Sequence, residues 1–164
     1  MRPRATKEIH AHTTPEAFTI GEHVLTIMLG DEAPVKISIP HPFSFPLLKL
    51  FACRDQRAIK RSEQGKRRRD AEEKEQYHAF DLYRIVAMMT EVEFAEAEEL
   101  RNRYVEDDIV REAGAIAAEL FRGQDAPGAL AILEHARRVL ADVIPEDVSA
   151  FTGDLRTLLP SPNL

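Results

Sequence analysis

The chain has 164 residues, 44 % of them hydrophobic, and a net charge of −6 at pH 7. This length is sufficient for a single domain over residues 1–164 with a real core. The one cysteine, Cys53, excludes a disulfide within the chain and favours a reducing, cytoplasmic setting. No stretch approaches the roughly 20 apolar residues that span a bilayer, so we expect no membrane association.

Two short strands are predicted in the N-terminal part of the chain. Val24–Leu29 and Val35–Ile39 are rich in aliphatic residues, and a five-residue link that contains glycine and proline joins them as a hairpin. Phe18–Ile20 is predicted to add a third short strand. The proline-rich stretch Pro40–Pro46 then ends the sheet, so residues 1–45 hold the strands and this link.

The rest of the chain, residues 46–164, has the periodicity of helices. We expect them near Pro46–Glu63, Glu75–Met89, Glu91–Arg103, Asp107–Arg122, Pro127–Val143 and Glu146–Leu159. Thr90 and Glu93 have the spacing of a capping box. The sequence therefore predicts an α+β fold, in which a small N-terminal antiparallel sheet is followed by a bundle of about five to six helices.

Charge is distributed unevenly along the chain. Residues 49–69 hold nine lysines and arginines against two acidic residues, whereas sixteen acidic residues face seven basic ones from Glu91 to the end. Within Lys60–Lys74 basic and acidic blocks alternate without an aromatic residue, which predicts a mobile charged loop near residues 60–75. The alternative is a patch that meets a nucleotide or RNA phosphate.

Two carboxylates fall inside apolar helical stripes. Asp55 is predicted near the centre of one apolar face, and Asp81 at the edge of another. A buried carboxylate needs a partner, and Lys49, Arg54 and His78 are the nearest candidates. Two interpretations remain open: a salt bridge between helices that fixes packing, and a polar cluster that lines a cleft.

A family resemblance rests on the segments around these residues. The helix Leu48-Lys-Leu-Phe-Ala-Cys-Arg-Asp55 follows a strand and a proline-rich link, and a basic stretch separates it from Asp81-Leu-Tyr. This order resembles the C-terminal half of the AbiEii-type nucleotidyltransferase-like proteins, over roughly Val24 to His135. That family belongs to the polymerase-beta-like superfamily, and many of its members are toxins of bacterial toxin–antitoxin pairs.

The resemblance implies roles for several residues. Lys49 and Arg54 match basic positions that face the nucleotide, and Asp81 matches the carboxylate of the second helical motif. His78 stands where many relatives carry a lysine. Arg4-Ala-Thr-Lys-Glu-Ile-His10 resembles the family's Arg-x-Thr-x-Asp-Ile-Asp signature, which makes Glu8 the second candidate catalytic carboxylate beside Asp81.

The departures from the family pattern concern its metal site. Such enzymes place a Gly-Ser turn before paired aspartates that hold two Mg²⁺ ions, and this chain has no Gly-Ser dipeptide. His10 replaces the second aspartate, and a nitrogen ligand suits transition metals better than Mg²⁺. We therefore expect a truncated or degenerate relative that is weakly active or inactive alone and requires Mg²⁺ only if active. A separately encoded catalytic lobe is the third alternative.

Other reactive residues have simpler explanations. His10 and His12, with His23 or His41, have a spacing compatible with a metal site, but the same spacing is common by chance, so we assign no metal ligands. Cys53 lacks an evident activating base, which indicates a semi-buried thiol rather than a nucleophile.

Two functions from different classes follow. The first is a nucleotidyltransferase-like protein that binds a nucleotide through Lys49, Arg54 and His78. The second is a non-catalytic helical module that binds a protein partner or forms a dimer. In either case we expect a homodimer formed through the helical half, because a two- or three-stranded sheet leaves apolar surface and strand edges uncovered.

Overall fold

The computed structural model describes residues 14–17, 19–20, 24–31 and 33–160. A short 3₁₀ helix, Pro15–Ala17, precedes an antiparallel hairpin of β1 (Val24–Leu29) and β2 (Val35–Pro40). The α-helices that follow are α1 (Ser44–Ser62), α2 (Gly65–Ala87), α3 (Glu91–Arg103), α4 (Asp108–Leu120), α5 (Pro127–Arg138) and α6 (Pro145–Leu158). The predicted α+β fold, with a small N-terminal sheet before a helical bundle, is confirmed.

The hairpin pairs Val24 with Pro40 at one end and Leu29 with Val35 at the other. The predicted third strand is wrong for its described residues, because Thr19 and Ile20 form a turn, while Phe18 lies outside them. The Thr19 hydroxyl lies 2.7 Å from that of Ser44 in a buried hydrogen bond, which ties this turn to the start of α1 instead of to the sheet.

Helices α1 and α2 form an antiparallel pair joined by two residues, Glu63 and Gln64. The predicted charged loop near residues 60–75 is therefore wrong, since α2 begins at Gly65. Of its acidic side chains, Asp70 and Glu73 are exposed and Glu72 is half-buried. Glu75 is buried and pairs with cations of α1, and this neutralisation allows a charged segment to pack as a helix.

The remaining helices complete one hydrophobic core with the α1–α2 pair. Helix α5 packs on α2, α4 packs on α1, and α6 contacts α2, α3, α4 and α5. The Thr90 capping box is confirmed: the Glu93 carboxylate accepts the Thr90 amide at 2.8 Å, and the Thr90 hydroxyl accepts the Glu93 amide at 3.3 Å. Helix α5 ends five residues before the predicted Val143, and Leu140 beyond it has a left-handed backbone at φ 54°.

Candidate functional site

Lys49 and Asp81 form an ion pair between α1 and α2. The Lys49 Nζ atom lies 2.6 Å from Asp81 Oδ2, and 23 % and 20 % of the two side chains remain exposed. Lys49 lies two residues after Leu47, which is fully buried, and Asp81 comes directly before the buried Leu82. Packing of these leucines brings the two charges together at the edge of the core.

Two aromatic side chains of α2 lie beside this pair. The Lys49 ammonium is 5.7 Å from the centre of the Tyr77 ring, and the Tyr77 and His78 rings meet edge to face at 5.9 Å. Burial lowers the pKa of His78 below its usual 6.5, and the Lys49 charge lowers it further. The His78 Nδ1 atom is buried and has no hydrogen-bond partner among the described residues. His78 is therefore held neutral near the pair.

A cleft of about 310 Å³ opens beside Asp81, between the start of α1 and the end of α2. Its lining combines apolar side chains with a few charged ones: Pro42, Phe45, Asp81, Arg84, Ile85, Met88, Met89 and Glu93. An apolar cleft with a small number of charged groups suits a ring-bearing ligand that also carries charge.

Arg84 is the charged residue of the cleft lining that the sequence patterns did not identify. It is exposed, and within the described part of the chain its side chain makes no ion pair. Its position three residues after Asp81, with Ile85 four residues after, places all three on one helical face. This spacing is the sequence feature that could have identified Arg84. The cleft itself forms only when α1 packs beside α2.

The candidate residues from the sequence do not all meet. Lys49, His78 and Asp81 lie together. Arg54 instead turns toward α4 and pairs there with Glu112. Its guanidinium also stacks on Phe51 of its own helix, 4.6 Å from the ring centre. Glu8 lies outside the described residues. Three of the candidate residues therefore form one cluster, and Arg54 belongs to a separate contact with α4.

Asp55 is not buried, contrary to the sequence-based expectation. Its side chain is 56 % exposed and contacts Arg54 at 2.8 Å. The buried stripe of α1 runs through Leu47, Leu50 and Cys53 instead. The predicted stripe is rotated away from this face, toward Ala52 and Ala58, which are half-buried and exposed.

The carboxylate that enters the core is Glu75, 3 % exposed, on α2. Arg57 Nη1 lies 2.9 Å from one of its oxygens and Lys60 Nζ lies 2.7 Å from the other. The two cations lie three residues apart on α1, so both reach the same carboxylate. Nearby, burial and the Glu75 charge raise the pKa of the Cys53 thiol to about 12, so this cysteine is no nucleophile at neutral pH.

The described residues hold neither a metal-binding cluster nor a membrane-spanning helix. Among them no three side chains of histidine, cysteine, aspartate or glutamate converge as a metal site would require. Of the histidines weighed as metal ligands from the sequence, His10, His12 and His23 lie outside this part of the chain, and His41 contacts Glu96 at 3.2 Å. Across residues 14–160, apart from the gaps, no helix has the length and apolarity for crossing a membrane.

Comparisons of the chain with models of protein families, with curated proteins and with solved structures gave no match.

Proposed function

We propose that the protein is nucleotidyltransferase-like and that the cleft beside Asp81 receives a nucleotide. The observation that supports this proposal is the Lys49–Asp81 pair, which remains about one-fifth exposed and whose carboxylate lines the cleft. A pair that served packing alone would gain nothing from an adjoining cavity. Here the ammonium is accessible enough to exchange its carboxylate partner for a phosphate oxygen.

The apolar part of the cleft suits the nucleobase of such a ligand. Phe45 and the methionines Met88 and Met89 offer the kind of surface against which a nucleobase packs. Arg84 on the rim supplies a second cation for the phosphates. The proposed pose therefore puts the base among these side chains and the phosphates between Lys49 and Arg84.

Metal-assisted catalysis would require more carboxylates than the described part of this cleft supplies. Asp81 and Glu93 line it, but Asp81 is already engaged by Lys49 at 2.6 Å. This donor set does not fit a two-Mg²⁺ site. We therefore assign weak nucleotide binding to the described residues, and make any transfer activity dependent on Glu8 or on a separately encoded lobe.

Titration calorimetry with the four nucleoside triphosphates tests this assignment. Wild-type protein is expected to bind with a dissociation constant on the order of 1 mM, and Lys49→Met is expected to abolish the heat. Arg54→Met is the matched control: it removes a cation from the same helix, five residues further on, and is expected to leave binding unchanged. Absence of binding to the wild type, or equal losses in both variants, would contradict the proposal.

The hairpin supports a second function, an interaction module that dimerises. One face of the hairpin is entirely aliphatic, since the register groups Leu25, Ile27, Leu29, Val35, Ile37 and Ile39. Three of these six are exposed, Ile27, Leu29 and Val35. The strands carry one charge, Lys36, so two copies can meet here despite a net charge of −6 on each chain. We therefore propose the contact at the hairpin and not at the helical half.

Light scattering measures the mass in solution and so distinguishes a dimer from a monomer of 18.6 kDa. A dimer mass is expected for the wild type at micromolar concentration, and Ile27→Lys, on the aliphatic face, is expected to return the monomer. Thr26→Lys adds the same charge to the opposite face and is expected to remain dimeric. A wild type that stays monomeric as its concentration rises would refute the dimer.

A further inference from the structure

The junction of α1 and α2 carries the densest positive charge of the molecule. Residues 60–70 contain six basic side chains and two acidic ones. We name the exposed cations Arg61, Lys66, Arg67, Arg68 and Arg69 the basic tip. All of them are exposed, on an overall acidic protein.

Most of this charge is not neutralised. Arg67 pairs with Glu63 at 3.0 Å, but Arg61, Lys66, Arg68 and Arg69 make no ion pair or hydrogen bond through their side chains within the described residues. Lys60, by contrast, turns inward to the buried Glu75 at 2.7 Å. The chain thus neutralises its inner cations and leaves the outer ones available.

Four of the five tip cations, those on α2, also oppose the dipole of the helix that carries them. Three consecutive arginines and a lysine occupy the start of α2, which has no acidic residue in its first turn. Positive charge is unfavourable at a helix N-terminus, where the dipole is itself positive. A polyanion placed against the tip would relieve this repulsion as well as pair with the side chains.

The tip is a rigid surface, because it lies on helices. The two-residue link holds the end of α1 beside the start of α2, so the cations project from two adjoining helix ends. Two packed helices are together wider than the roughly 12 Å major groove of B-DNA. The tip can therefore contact phosphates along a backbone, but it cannot insert and read bases.

Composition indicates which polyanion fits. The tip lacks aromatic side chains, on which single strands stack their bases. Its chemistry is that of arginine and lysine facing regularly spaced phosphates. We propose that the basic tip is a sequence-independent docking surface for the phosphate backbone of a double-stranded nucleic acid, a role separate from that of the cleft at Asp81.

Fluorescence anisotropy with a labelled 20-base-pair DNA duplex tests the proposal. Binding is expected at 50 mM salt and should weaken by roughly 100-fold at 200 mM, as four phosphate contacts require. The double reversal Arg68→Glu/Arg69→Glu is expected to weaken binding at least tenfold. An RNA duplex should bind comparably, and the matching single strand more weakly.

The control variant is Arg122→Glu/Arg137→Glu, which makes the same change in net charge at two exposed arginines outside the tip. It is expected to change affinity by less than twofold. Equal losses in the two variants, no binding by the wild type at 50 mM salt, or tighter binding of the single strand would each overturn the proposal. A tip variant that changes the mass in light scattering while duplex binding is intact would assign the tip to self-association instead.

Discussion

The Lys49–Asp81 pair yields a stability prediction that can be worked out from its geometry. Removing one partner of a fully buried pair costs about 3–5 kcal/mol, whereas exposed pairs contribute about 0–1 kcal/mol. Since 23 % and 20 % of the two side chains are exposed, we expect Asp81→Asn to lower the free energy of unfolding by about 2 kcal/mol. At this chain length that corresponds to roughly 4–8 °C in melting temperature.

A double-mutant cycle assigns this loss to the pair. Lys49→Met and Asp81→Asn are measured singly and together by thermal and urea unfolding, and we expect a coupling energy of at least about 1 kcal/mol. Asp55→Asn is the control, because that carboxylate is 56 % exposed, and its expected effect is below about 0.5 kcal/mol. A coupling energy of zero, or a larger loss at Asp55 than at Asp81, would refute the reasoning.

Four further predictions concern two helical glycines, Cys53 and His78. Gly128→Ala is expected to destabilise the fold by about 1–3 kcal/mol, because a Cβ would lie 2.4 Å from the Phe121 ring. Gly153→Ala, in open space on α6, should instead raise the melting temperature. Cys53, with its pKa raised to about 12, should resist a thiol reagent at pH 8 until the protein unfolds. The lowered pKa of His78 means that the unfolded chain binds a proton first, so stability should fall as pH drops through about 6.5; His78→Gln should reduce this slope.

Much of the fold follows from local sequence patterns. The hairpin strands and the six helices lie close to their predicted ranges, because aliphatic alternation and helical periodicity are short-range signals. Thr90 and Glu93 form the predicted capping box for the same reason. The exception is residues 65–74, whose charges resemble a loop in isolation but belong to a helix stabilised by cations on α1.

The site was only partly accessible from sequence. Asp81 and its partner Lys49 were both named, because an apolar helix rarely carries a carboxylate without a cation nearby. Asp55 is exposed against the expectation, since a helical wheel gives the apolar arc only to within a few tens of degrees, and the sequence analysis did not single out the buried Glu75. The cleft, and the position of Arg84 in it, depend on how α1 and α2 pack together. A pattern within one segment of the sequence carries no information about this packing.

Methionine methyl groups offer a direct view of the cleft. Met88 and Met89 line it, whereas Met28 lies away from it on the hairpin. Carbon-13 methyl spectra of methionine-labelled protein are recorded while ATP or GTP is added to millimolar concentration, with inorganic triphosphate as the reference ligand. We predict shifts at Met88 and Met89 with the nucleotide, smaller ones with triphosphate, and none at Met28. Unchanged Met88 and Met89 signals, or equal shifts at Met28, would contradict a nucleotide in the cleft beside Asp81.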